Sequence, residues 1–198
     1  MNDMQQVKEL LLQALETELG GVQVYTVALK CAVNEELRKE WQEYLDQTRR
    51  HVEIVQGVFA TFGLDPEESS PGRQIVRHNG HSLVTAMEMA LKAGVPDAAE
   101  LVATECVATA ELKDHHNWEL IGEVAKKLTG VQGKALREAH AEVEEDEDKH
   151  FYHTLGWSRE LWIKSLGMKA VLPPPEEEKD VTTAIGAARA KQQRKEML

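Results

Sequence analysis

Glu147 and His150 stand three residues apart in the sequence EDKH. On a helix that spacing puts a carboxylate and an imidazole on one face, a turn apart, where both can reach one metal ion. Comparable residues recur upstream: Glu18, His51, Glu111 and His115, with Asp114 just before the last. Each interrupts an apolar stripe where Leu or Val would ordinarily stand. A carboxylate in such a place is costly to bury alone, so it is paired, protonated, metal-bound or not truly buried. Carboxylate oxygens combined with imidazole nitrogens suit iron, manganese or zinc. The lack of cysteine among these residues argues against a thiolate site.

The elements that must position these residues are long helices. Leu11, Leu15, Glu18, Val22, Tyr25 and Leu29 alternate steps of four and three, predicting a helix over about 7–32. A second, over about 35–61, carries Leu37, Trp41, Tyr44, Thr48, His51, Val55 and Val58 and stops at Gly63. Pro96 and Asp97 open a third, with Glu111 and His115 in its stripe, running to about Leu128. The fourth, over about 134–166, reads Leu136, His140, Val143, Glu147, His150, Thr154, Trp157 and Leu161. A hairpin turning near Asn34 sets Glu18 opposite His51. One turning near residue 131 sets Glu111 and His115 beside Glu147 and His150.

Residues 63–96 are too long for a simple turn. GRQIVRHNGHSL reads as irregular and 82–94 as one short helix closed by a glycine. The prolines at 173–175 end the compact part. The expected architecture is therefore all-α: a four-helix bundle over 1–170 whose long crossover contains a short helix, with a C-terminal arm over 171–198. The arm reads as a peripheral helix or a partly disordered extension.

Composition narrows the function classes. The chain of 198 residues carries 34 Asp and Glu against 23 Lys and Arg, a net charge of −11, which disfavours nucleic acid as a partner. No apolar run is long enough to span a bilayer. The first residues do not read as a secretory signal, and Cys31 and Cys106, without a CxxC, suit reduced thiols in a cytoplasmic protein. Most acids of the run 138–148 read as a solvated face. His78 and His81 read as loop residues, His140 and His153 as edge positions, and the four tryptophans as filler of core and interface.

The segment ETELGGVQVYTVAL, with Tyr25 seven residues after Glu18, and the ExxH of residues 147–150 resemble the ferritin-like superfamily, which includes bacterioferritin and rubrerythrin. The resemblance covers about residues 7–165. It implies a di-metal centre in which Glu18 and Glu111 are single glutamates, Glu147 and His150 one ExxH pair, and His51 the histidine of the other. One position departs from the pattern: the first ExxH reads TRRH, with Thr48 where a bridging glutamate is expected. Asp114 or His115 would have to compensate, and one metal, an unequal pair or none are the alternatives.

The resemblance further implies iron, as one or two ions, with manganese or zinc as substitutes. Its chemistry is Fe(II) oxidation by O2 or peroxide, and Tyr25 would hydrogen-bond a ligand or trap an oxidising equivalent. Without a rubredoxin-type CxxC domain, repeated reduction needs an external electron donor. A homodimer is the default assembly. Two other readings stand beside this one: a non-catalytic bundle with a degenerate site, and a di-metal oxygenase acting on an organic substrate.

Overall fold

The computed structural model describes residues 3–198, and among them there is no strand. Five long helices dominate: α1 (Met4–Cys31), α2 (Glu35–Phe62), α3 (Pro71–Lys92), α4 (Pro96–Lys127) and α5 (Gly130–Ser165). Two short ones follow, α6 (Pro175–Glu178) and α7 (Ala184–Gln193), then a single 3-10 turn over Arg194–Glu196. No helix among the described residues is long and apolar enough to cross a membrane.

Local chemistry sets the helix boundaries. Asp3 accepts from the backbone N–H groups of Gln5 and Gln6, and Asn34 from those of Glu36 and Leu37, so α1 and α2 both open on a short side-chain acceptor. Between them, the N–H groups of Val33 and Asn34 donate to the buried Glu100 of α4 at 2.7 and 2.6 Å. Gly63 closes α2 in the left-handed conformation, at φ 64°, which glycine adopts without a Cβ clash.

The crossover departs from the sequence expectation. Residues read as irregular, with a short helix after them, form the single 22-residue helix α3. Ser70 caps it by accepting from Arg73 N–H at 3.0 Å, and Pro71 occupies its first turn. Arg73 is buried against Glu16 of α1 at 2.8 Å and also donates to the carbonyls of Pro66 and Glu68. Arg77 adds a second bond to Glu16 at 2.7 Å. These contacts outweigh the weak helix propensity of the Gly-, Asn- and His-containing stretch. Gly80 lies where α3 passes α1 beside Gly20; a Cβ there would stand 3.9 Å from Gly20 Cα, an ordinary van der Waals contact.

The apolar core falls into two clusters. One gathers Val24, Tyr25, Leu37, Trp41, Leu45, Val107 and Trp157. The other gathers Leu11, Leu15, Val55, Phe59, Trp118, Ile121, Leu136 and Val143. Along each of α1, α2, α4 and α5 the chain passes from one cluster to the other, and the polar residues of the stripe lie between.

Beyond α5 the chain folds back as a peripheral helical segment. Glu160 of α5 is fully buried; it accepts from Val171 N–H at 2.9 Å and from Arg194 at 2.7 Å. Arg159 donates to both oxygens of Glu176, at 2.6 and 2.7 Å. Val171, Val181 and Ala190 of this segment are buried.

Candidate metal centre

Between the two apolar clusters, α1, α2, α4 and α5 bring buried carboxylates and imidazoles together. Glu18, His51 and Glu147 each offer one ligand atom within 4.8 Å of the others, and so do Glu111, Glu147 and His150. Glu147 belongs to both groups. His51 Nδ1 stands 2.9 Å from Glu147 Oε1 and 3.8 Å from Glu18 Oε2. His150 Nδ1 stands 3.5 Å from the same Glu147 oxygen and 3.6 Å from Glu111 Oε2. The two imidazole rings lie 5.8 Å apart, 26° from parallel.

The ligand-bearing atoms lack hydrogen-bond partners. Glu18 Oε2, His51 Nδ1, Glu111 Oε2, His150 Nδ1 and both oxygens of Glu147 are buried and make no aligned hydrogen bond, despite the short approaches between some of them. Buried polar atoms in native proteins are nearly always satisfied, so a cluster of orphans points to a group that would satisfy them. Oxygen and imidazole nitrogen donors fit a divalent transition metal of intermediate hardness.

The outward-facing atoms of the same side chains, by contrast, are held. Trp118 Nε1 donates to Glu18 Oε1 at 2.8 Å, which leaves Oε2 free. Gln47 Nε2 donates to Asp146 Oδ1 at 3.1 Å, so its Oε1 faces His150 Nε2 at 2.8 Å. An amide oxygen only accepts, so this network assigns the ring proton of His150 to Nε2 and leaves the Nδ1 lone pair facing the acids. Asp146 Oδ2 lies 3.3 Å from His51 Nε2, which gives His51 the same polarity. Such outer contacts fix the orientation and basicity of a metal-binding histidine.

Electrostatics separates the inner acids from the outer one. Burial, followed by the neighbouring Glu111, pushes the Glu147 carboxyl up to about 8. Burial holds Glu18 well above the usual carboxylate range, with Asp114 and Glu147 adding to the effect. Asp114 is likewise raised, by burial and then by Glu147 and Glu111. Asp146 is lowered, chiefly by its hydrogen bond to His51. Without a cation, Glu147, Glu18 and Asp114 therefore retain protons that exposed carboxyl groups would have lost.

The remaining sequence-predicted residues fall in different places. His115 lies apart from both groups. Its Nδ1 is 3.3 Å from Asp148, its ring stacks on Phe151 at 5.1 Å, and its side chain is 14% exposed. Asp114, one residue earlier, is only 4% exposed, has an unpartnered Oδ1, and faces Glu18, Glu111, Glu147 and His51 electrostatically. Thr48 is buried, with its hydroxyl donating back to the Tyr44 carbonyl at 2.8 Å. Its methyl would stand 3.1 Å from a Cβ added at Gly21, so the small residue on α1 and the methyl on α2 fit each other. Tyr25 is fully buried, with its ring 6.1 Å from that of His150. Burial and the nearby Glu111 raise its hydroxyl well above the usual tyrosine range.

Sequence reasoning missed several participants. Tyr44 packs its ring 4.1 Å from His150 and donates to Glu40 at 2.5 Å. It shares the stripe of His51, one heptad earlier, and that spacing was the available signal. Trp118, read as filler, stands seven residues after Glu111 on the same face. Asp146 lay within an acidic run read as solvent-facing, and nothing in the sequence distinguishes it from its neighbours.

No known protein family, curated protein or solved structure matches the chain.

Proposed function

We propose that this chain is a ferritin-like metalloprotein whose buried centre binds two transition-metal ions, iron foremost. Glu18 and His51 would hold one ion, Glu111 and His150 the other, and Glu147 would span the two. The observation that carries this reading is the sharing of Glu147 by two ligand groups whose inward atoms all lack partners. Manganese or zinc would fit the same donors.

Charge supports assigning a role to Asp114. A bridging glutamate is missing at Thr48, which leaves Glu18, Glu111 and Glu147 as three negative charges against two divalent ions. Asp114 supplies a fourth and makes the buried assembly neutral, as a low-dielectric site requires. Its carboxylate comes from α4 rather than α2, so the centre keeps its charge although the bridge position has changed.

When bound, iron would supply oxidation of Fe(II) by O2 or peroxide. The chain's own contribution is binding, orientation and proton handling. Trp118, Gln47 and Asp146 fix the ligand rotamers, and the flanking apolar clusters exclude water. Tyr25 packs its ring near His150, and its hydroxyl, which makes no aligned hydrogen bond, would be available to a bound ligand. Since Glu18, Asp114 and Glu147 retain protons in the empty site, metal binding must release protons, and affinity rises with pH.

A purely structural polar network is the competing reading, and Thr48 is the residue that favours it. Such a network would satisfy its own members, whereas six inward ligand atoms here remain orphaned. The test is metal analysis of the purified protein, followed by anaerobic titration with Fe(II) and Mn(II). Uptake approaching two equivalents per chain is expected. No uptake of either metal by folded protein would refute the proposal.

A further inference from the structure

A cavity of about 500 Å³ lies on the other side of α1 from the metal centre, walled by α1, α3 and α4. That volume falls within the range of small-molecule sites. Its apolar surface comes from Val24, Val76, Leu83 and Ala110, and Gly20 and Gly21 leave the helix backbone bare beneath them. A Cβ added at Gly20 would meet nothing within 4 Å, so the space in front of that residue is empty. None of the lining residues is one of the proposed metal ligands.

One cation in the lining makes no salt bridge. It is Lys113, whose Nζ donates to the amide oxygen of Asn117 at 2.5 Å. No carboxylate pairs with Lys113 among the described residues, in a chain whose net charge is −11. The other nearby cations are committed: Arg73 and Arg77 both pair with Glu16, at 2.8 and 2.7 Å.

We propose that this cavity binds a small carboxylic acid with an apolar body, its carboxylate on Lys113 and its hydrocarbon over Gly20, Val24 and Leu83. An apolar wall with one convergent charge selects such a molecule, since a neutral analogue forgoes the ion pair and a dianion strands its second charge. Lys113, Asn117 and Thr17 form a continuous hydrogen-bonded line, with Asn117 Nδ2 donating to Thr17 Oγ1 at 2.9 Å. The ligand's carboxylate would therefore be seated on a framework that is already fixed, at low ordering cost.

Octanoate and octanol serve as probes in calorimetric titrations of the full chain. Octanoate is expected to bind at least about tenfold tighter than octanol, a ratio that measures the ion pair. Lys113→Met should bring the two probes to equal affinity. Gly20→Leu, whose side chain enters the empty space and improves helix propensity, should abolish binding of both with helicity and Tm retained. Equal binding of the two probes by the wild type would overturn the role of Lys113. Unchanged octanoate binding in a folded Gly20→Leu variant would overturn the cavity, and absence of octanoate binding by the wild type would overturn both. Should Gly20→Leu fail to fold, Lys113→Met still decides the matter, because unchanged discrimination there refutes the site.

Discussion

Replacing Glu147 with glutamine separates the metal role of this residue from its structural one. In the metal-free protein the folded chain holds the Glu147 proton up to about 8, whereas an unfolded glutamate releases it near 4.5. Between those values the folded state binds more protons than the unfolded state, so stability falls as pH rises. The stabilising contribution is complete below 4.5 and is lost by about pH 8. At about 1.4 kcal/mol per pH unit, the loss from this residue is about 5 kcal/mol across the window. Glutamine cannot ionise, so Glu147→Gln removes that component. The metal-free variant should match wild type near pH 5 and exceed it by up to about 5 kcal/mol near pH 9. Glu18 and Asp114 are raised as well, so both proteins retain a residual decline in the same direction. Urea denaturation in the presence of a chelator, followed by tryptophan fluorescence, measures the difference. Added Mn(II) should then stabilise wild type increasingly with pH and leave the variant unchanged. Superimposable pH profiles for the two metal-free proteins would show that Glu147 is not buried among acids, and the argument for the centre would fail with it.

Three further outcomes follow from the geometry. Asp114→Asn should weaken binding of the second metal equivalent by about 10–100-fold, and His115→Ala should leave it unchanged, measured by competition with a chromophoric chelator. Gln47→Ala removes the acceptor on His150 Nε2; it should lower metal affinity by about 10–100-fold with the helical circular dichroism spectrum intact. Glu160→Ala strands Arg194 and the Val171 N–H, and a loss of about 3–5 kcal/mol in denaturant stability is expected, with cleavage after residue 165 accelerated in limited proteolysis.

The helices of the bundle were legible because periodicity reports burial. Leu11, Leu15 and Tyr25 on α1, or Val143 and Trp157 on α5, repeat at the spacing of one buried face, and the caps and glycines mark where each helix ends. The buried acids were legible for the same reason: Glu18 and Glu147 are conspicuous because an acid in that register has no solvent to face. Only the second half of α3 was legible, where Leu83, Val84, Met87 and Ala90 pack on the core. Its first half has Arg73 as the one buried residue and is held by Arg73 and Arg77 on Glu16, 57 and 61 residues away in the chain. That Asp114 is more deeply buried than His115 has a similar origin. Adjacent helical residues differ by about 100° in direction, and sequence alone fixes the phase of a long helix no better than that.

The division of the core into two apolar clusters has a consequence for the empty protein. Buried acids and imidazoles lie near the midpoint of four helices, and three of the acids, Glu18, Asp114 and Glu147, hold protons, so a metal-free bundle would have its weakest seam across its waist. The two halves would then open as separate cooperative units, and amide exchange in the turns flanking Glu18, His51, Glu111 and Glu147 should slow when metal is added. Under the proposed function, a bound ion would join the units into one, and binding free energy would become resistance to opening. Cellular proteases cleave chains while they are open. The abundance of this protein would accordingly rise and fall with the metal supply, by mass action alone and without a dedicated regulator.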